Sequence, residues 1–178
     1  MGFNREELHQ VVDSSFMVKK TLGLERCSYH LIQFIGDIHQ PLHDEALDIG
    51  GNTVDVTFNG DSTNLHAVWD TSIPEYFIGG NSLTLAKSWA SELTTAIKTG
   101  TYKSDASGWL DGINLSDPQS SAMVWASDSN AFVCSTVMPN GVAATEDVDL
   151  SGDYYTSALP IVKEQFAKAG YRLVPIQA

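Results

Sequence analysis

The residues best suited to chemistry lie in two short strings, GDIHQPLHDE and NLHAVWD. In the second string His66 and Asp70 are four residues apart, so on a helix their side chains leave one face about 6 Å apart. An imidazole and a carboxylate at this spacing can share one metal ion. In the first string Asp37 lies near a predicted helix end, and His43 follows Pro41 on a segment free to turn inward. A His/His/Asp set with open positions suits a catalytic zinc better than a closed structural one.

Two further histidines lie near this set. His30 precedes Asp37 by seven residues, about 10 Å of helical rise, which is too far to share a metal with it. His39 is two residues after Asp37 and should point elsewhere. A His-x-x-x-Asp pair is also compatible with a plain surface hydrogen bond, so spacing alone leaves both a metal site and a polar surface pair open.

The elements that must hold these residues are mostly helices. Apolar periodicity predicts helices over residues 5–20, 22–39, 65–71, 82–98, 118–137 and 154–169. Their start and stop signals are Pro41 after the second helix, Asn64 before the third, Gly100 after the fourth, Asp117-Pro118 before the fifth and Gly170 after the last. Pro160 is expected to kink the last helix or to reset its start.

One hairpin interrupts the helices. Val54, Val56 and Phe58 alternate with polar residues, and Asn59-Gly60 is the strongest short turn signal available. The predicted fold is therefore mainly α with one small β-hairpin.

Length and composition predict a single domain over residues 1–178. With 178 residues, 43% of them apolar and only 18% charged, the chain has room for a real core. No apolar run approaches the roughly 20 residues of a membrane-spanning helix, so no membrane association is expected. The first twenty residues break their apolar positions with charges, so no signal peptide is visible.

The charge balance excludes one class of nucleic-acid binder. With 22 acidic and 10 basic residues the formal net charge is −12, whereas proteins that bind by counterion release carry basic patches. An acidic protein can still act on phosphates if bound metal cations supply the local positive charge.

Three strings in order, FIGDIHQPLHDEA, GGNTVDVTFNG and NLHAVWDTSIPE, resemble the fungal zinc-dependent single-strand-specific nucleases. These are relatives of bacterial zinc phospholipase C. The likeness continues through WASDSNAFVCSTVMPNG to AKAGYRL and covers residues 31–178, while residues 1–30 are unmatched. The resemblance implies a phospholipase C and single-strand nuclease-like helical domain.

The resemblance also implies an activity and its residues. Family members hold three zinc ions and hydrolyse single-stranded DNA and RNA to 5′-nucleotides, and many also act on 3′-nucleotides. By position, His43, His66 and Asp70 match the ligands of one zinc. Asp37 matches the catalytic aspartate that bridges the other two, and Ile49 matches an apolar residue that contacts the nucleobase. Three Zn²⁺ would bring about six positive charges into one cleft of this acidic chain.

The departures from the family pattern predict an impaired site. The family's first residues, a zinc-binding tryptophan followed by a histidine, an aspartate and a histidine, are not found here, and Gln33 replaces a ligand histidine one helical turn before Asp37. One complete zinc site is therefore expected, in a truncated chain of weak or no activity. The alternative is a non-catalytic zinc-binding remnant. Phospholipase C-like action on lipid head groups is disfavoured, because the nuclease strings match more closely.

Smaller signals carry further expectations. Asn114-Leu115-Ser116 is a glycosylation sequon, and the resemblance implies a secreted, glycosylated protein, expected to be a monomer. Cys134 matches a family cysteine whose disulfide partner lies upstream, so two unpaired thiols, Cys27 and Cys134, are expected. The four tryptophans are expected in the core or an interface, and the basic residues Lys168 and Arg172 on a solvated face.

Overall fold

The computed structural model describes residues 24–177, with side chains described for residues 30–174. Its elements in chain order are α1 (Leu24–Asp37), a 3-10 turn (Pro41–Asp44), a tight turn (Asp48–Gly51), β1 (Asp55–Phe58), β2 (Asp61–Asn64), α2 (Leu65–Ala67), a π turn (Val68–Ser72), α3 (Ile73–Ile78), α4 (Leu83–Lys98), a 3-10 turn (Ala106–Leu110), α5 (Pro118–Phe132), a second π turn (Val133–Val137), a 3-10 turn (Val142–Ala144) and α6 (Asp153–Gln177). The mainly helical fold with one hairpin is confirmed. The helix predicted over 5–20 lies outside the described residues.

Local signals place the hairpin and the helix after it. Asn59 and Gly60 both adopt positive φ, 54° and 85°, as a two-residue hairpin turn requires, and β1 pairs antiparallel with β2. The Asn64 side chain accepts a hydrogen bond of 2.8 Å from the backbone N–H of Ala67, so the predicted cap is confirmed. The helical path then continues through the π turn into α3, beyond the predicted end at residue 71.

The apolar core forms one cluster around α6. Leu65, Val68 and Ile73 are fully buried on the segment that follows the hairpin, and all four tryptophans are buried as predicted. Helix α6 packs against α1, α3, α4 and the Ala106–Leu110 turn. Among the described helices, none is long and apolar enough to cross a lipid bilayer.

Helix α6 differs from its prediction at both ends. It begins at Asp153, so Pro160 does not reset its start, and it passes Gly170 to end at Gln177. Beyond the glycine, Tyr171 packs on the core and Arg172 is buried. These tertiary contacts outweigh the cost of a glycine inside a helix, about 1 kcal/mol, which is why the stop signal is overridden.

The prediction of a solvated face for the basic residues of α6 is wrong. Lys168 and Arg172 are only 5% and 4% exposed. Both donate hydrogen bonds to the carboxylate of Asp128 on α5, at 3.1 and 2.9 Å, and Lys168 also pairs with Glu164 at 2.9 Å. Their charges are therefore neutralised inside the fold rather than by water.

Candidate metal centre

Three of the predicted ligands converge at one point, as expected. His43 lies on the Pro41–Asp44 turn, and His66 and Asp70 lie one helical turn apart on the segment after the hairpin. The Nε2 atom of His43 is 3.4 Å from Oδ1 of Asp70, and the Nε2 atom of His66 is 3.3 Å from its Oδ2. The three potential ligand atoms lie within 4.8 Å of one another. The arrangement can accept a cation between two imidazoles and a carboxylate.

The left-handed turn before the hairpin orients His66. Its Nδ1 donates a hydrogen bond of 2.8 Å to the carbonyl of Gly50, so Nε2 faces Asp70: when protonated it donates to the carboxylate, and when the ring is neutral it presents a lone pair to a cation. Gly50 adopts φ of 63°, and a Cβ there would lie 2.5 Å from the carbonyl oxygen of Leu42. The position therefore requires glycine, and the turn fixes the carbonyl that holds His66.

The carboxylate of Asp70 receives several polar contacts. Gln40 Nε2 donates to its Oδ1 at 2.7 Å, and the two imidazoles face its oxygens. Burial by itself would raise the pKa of Asp70, but hydrogen bonds from His43, His66 and Gln40 outweigh it and hold the pKa well below its usual range. Asp70 is therefore an anion, ready to bind a cation.

Asp37 and Gln33 line the cavity beside this cluster. The cavity has a volume of about 380 Å³ and its polar wall includes Asp37, His43 and Asp70. Burial raises the pKa of Asp37, and neighbouring His43 opposes that shift. Neither lysine nor arginine is among the described residues that line the cavity. For a phosphate that enters the cavity, a bound metal cation could supply the positive charge that this described lining lacks.

Ile49 lies on the same turn as Gly50 and points to solvent. Its side chain is 71% exposed, and its backbone adopts φ of 56° and ψ of 48°, a left-handed conformation that is unusual for a β-branched residue. Asp48 before it also has positive φ. Backbone strain of this kind persists where the surrounding structure enforces it, and it clusters at functional sites.

The two other histidines among the described residues, His39 and His30, lie outside the cluster. His39 is buried, and burial lowers its pKa to about 4. Its Nδ1 donates to the carbonyl of Ile35, and its Nε2 accepts from Arg172 at 2.9 Å. His39 was expected to point elsewhere, and it does not join His43, His66 and Asp70. His30 stacks on Phe34 with ring centroids 6.3 Å apart.

Sequence reasoning missed Gln40 and the buried ion cluster, which we define as Asp128, Lys168, Arg172 and His39. The only signal for Gln40 was its place between Asp37 and His43. Nothing in the chain order pointed to the ion cluster, because its members are up to 133 residues apart. The thiol of Cys134 is free and exposed, as expected, while the side chain of Cys27 lies outside the described residues.

The chain is similar to known nucleases. The family model of S1/P1 nuclease matches residues 13–176. The chain is 54% identical to nuclease S1 of Aspergillus oryzae and 50% identical to nuclease P1 of Penicillium citrinum, each over 143 residues. It is 37% identical to endonuclease 4 of Arabidopsis thaliana over 151 residues.

These alignments cover 80% of this chain but only 50%, 53% and 46% of the respective relatives. The chain thus spans about half the length of the curated relatives it matches. The family match itself extends over most of the chain and includes His43, His66 and Asp70, which we call the metal cluster. The protein belongs to the S1/P1 nuclease family.

Proposed function

We propose that this protein is a zinc-dependent phosphodiester hydrolase that cleaves single-stranded DNA and RNA to 5′-nucleotides and also acts on 3′-nucleotides. The observation that carries the proposal is the convergence of His43, His66 and Asp70 at 3.3 to 3.4 Å. The names of its relatives, nucleases and endonucleases, support the same activity.

The donor set fits zinc. Two imidazole nitrogens and one carboxylate oxygen are the usual protein ligands of a catalytic zinc with an open position. Zinc–ligand bonds of about 2.0 to 2.1 Å in a tetrahedron put neighbouring ligand atoms about 3.3 Å apart, close to the spacing seen here. The Gly50 carbonyl fixes the ring of His66, as carbonyls bonded to the far ring nitrogen of zinc-binding histidines do.

When bound, zinc supplies a Lewis acid that stabilises negative charge on a phosphate. The chain's own residues prepare the place for it. His43, His66 and Asp70 hold the cation, and Asp37 on the neighbouring wall presents a second carboxylate to the same cavity. The absence of lysine and arginine from the described lining makes metal the source of positive charge for the substrate.

Asp37 and Ile49 are assigned two further roles. Asp37 is the proposed catalytic aspartate; by family resemblance it would help to hold further zinc beside the phosphate, which would supply positive charge there. Ile49 contacts the nucleobase. Its exposure supports this role, because an apolar side chain held out of the surface can cover the face of a base.

The test measures zinc content and hydrolysis of denatured DNA for the chain and for His66→Ala. We expect one tightly held zinc per chain, lost in the variant together with at least about 10³-fold of any activity. His30→Ala is the matched control, since it removes an imidazole outside the cluster and should keep the zinc. Stoichiometric zinc that survives His66→Ala would contradict the assignment. Zinc without any hydrolysis would instead indicate a non-catalytic remnant of the fold.

We also infer that the protein is exported and glycosylated at Asn114. The Asn114 side chain is exposed and precedes Leu115-Ser116, so its amide is accessible. A mobility shift on treatment with an endoglycosidase, lost in Asn114→Gln, is the expected result for protein from a secretory host. An unshifted wild-type protein from that host would refute the inference.

A further inference from the structure

Gln40 joins the two chain segments that supply the metal ligands. Its side chain reaches across 30 residues of sequence to Asp70, donating from Nε2 to Oδ1 at 2.7 Å. At its other end, Oε1 accepts a hydrogen bond of 2.6 Å from the backbone N–H of Leu42. Both polar atoms of the amide are therefore occupied.

The orientation of this amide follows from its partners. A backbone N–H can only donate, so the oxygen of Gln40 must face Leu42. The nitrogen then faces the carboxylate, which can only accept. Reversing the amide would lose both bonds at once. Gln40 therefore has one stable orientation, and in it an N–H points at Asp70.

The backbone of Gln40 is also tied to both neighbouring site residues. Its N–H donates to the carbonyl of Asp37 at 2.9 Å, and its own carbonyl accepts from the N–H of His43 at 3.0 Å. The residue thus links the end of α1, the turn that bears His43 and the helical segment that bears Asp70.

Resting on the proposed function, we propose that Gln40 is a positioning residue for the metal centre: its amide N–H fixes the rotation of the Asp70 carboxylate so that the carboxylate faces both imidazoles. Asp70 needs such a restraint, because its side chain is 36% exposed and a carboxylate turns readily about its last bond. Outer-shell hydrogen bonds to metal-binding carboxylates typically change metal affinity 10- to 100-fold.

Two substitutions separate the donor from the cap. Gln40→Leu removes both hydrogen bonds at similar size. Gln40→Glu keeps an oxygen that can accept from Leu42 but replaces the donor with a carboxylate that repels Asp70. If Gln40 mattered only as a cap of the Pro41–Asp44 turn, the Glu variant would behave like the wild type. If Gln40 acts as a donor to Asp70, both variants lack that donor and both should bind zinc more weakly.

The experiment measures zinc affinity of the chain by competition with a chelator, without substrate. We expect binding at least 10-fold weaker in both Gln40 variants and unchanged in Asn140→Ala, which truncates an exposed amide elsewhere. The visible absorption of Co²⁺ in the same site should also change in both variants, since it reports coordination geometry. Urea midpoints of the metal-free variants confirm that each is folded, and if the Leu variant is not, the Glu variant decides.

The outcomes distinguish this inference from the function on which it rests. Wild-type zinc affinity in either Gln40 variant overturns the positioning role and leaves the zinc site intact. A wild-type chain that binds no zinc overturns the metal centre and this role together.

Discussion

The metal cluster and the buried ion cluster are each centred on an aspartate, but they differ in what neutralises its charge. In the buried ion cluster the chain supplies its own cations, because Lys168 and Arg172 meet the carboxylate of Asp128 within 3.1 Å. In the metal cluster the described partners of Asp70 are two imidazoles and an amide. One carboxylate is neutralised by folding, and the other is left for a cation from outside. A charged cluster that is complete within the chain contributes to stability, and one that is incomplete is suited to binding.

The backbone shows the same contrast. The metal cluster is held by a turn with consecutive left-handed residues, Asp48 and Ile49, followed by Gly50. The three charged residues of the buried ion cluster, Asp128, Lys168 and Arg172, lie on two regular helices, α5 and α6. The strained turn packs against the Pro41–Asp44 turn and the Leu65–Ala67 helix, and packing of this kind can maintain backbone strain.

The largest effect on stability is expected from Asp128→Ala. Removing this carboxylate leaves Lys168 and Arg172 buried without their shared acceptor, which should cost about 3 kcal/mol of the free energy of unfolding. Urea denaturation of the metal-free chain measures it. Asp70→Ala is the matched control and should cost less than about 1 kcal/mol, because it leaves two imidazoles that are 33% and 16% exposed rather than two buried cations without their acceptor. Equal losses in the two variants would break the contrast between the clusters.

Acid should act on the buried ion cluster through Asp128. Burial would raise the pKa of Asp128, but Lys168 and Arg172 outweigh it and lower the pKa below its ordinary value of about 3.9. A lowered carboxyl pKa contributes stability that is present above the unfolded value and lost as pH falls through the folded one. The unfolding free energy should therefore drop below about pH 4 in the wild type and less steeply in Asp128→Asn. Parallel curves for the two proteins would contradict this source of acid sensitivity.

Gln33→His tests whether a second metal site, beside Asp37, lacks a histidine ligand. Gln33 and Asp37 are four residues apart on α1 and both line the cavity. An imidazole binds zinc far better than a neutral amide oxygen, so the variant should take up a second zinc, at least about 10-fold more weakly than the first. Gln33→Ala is the control and should stay at one. Elemental analysis measures the zinc content of both variants. An unchanged zinc content in Gln33→His would show that replacing Gln33 alone does not create a second site.

The smallest effect is expected from Ile49→Gly. Glycine adopts the left-handed conformation without strain, so the variant should be more stable by about 1 kcal/mol even though it gains backbone entropy when unfolded. Ile49→Ala keeps the strain and should not be stabilised. Thermal unfolding compares them, and a glycine variant no more stable than the alanine variant would show that the turn stores no strain.

The sequence predicted the elements that depend on neighbours in the chain. The Asn59-Gly60 turn, the Asn64 cap and the spacing of His66 and Asp70 act over one to four residues, and each is found as predicted. His43 was expected to turn toward His66 and Asp70 because it follows Pro41. No local rule gave its distance from Asp70.

Only the tertiary structure decided the features that depend on which helix faces meet. Gly170 was a sound stop signal, yet α6 continues because Arg172 beyond it bonds to Asp128 and to the carbonyl of Trp109. Lys168 and Arg172 have the composition of a surface, and their burial depends on a carboxylate 40 or more residues away. Likewise the bond from Gln40 to Asp70 spans 30 residues. Short-range spacing determines backbone conformation through nearby hydrogen bonds and sterics, whereas the neutralisation of a charge depends on groups that only folding brings within contact.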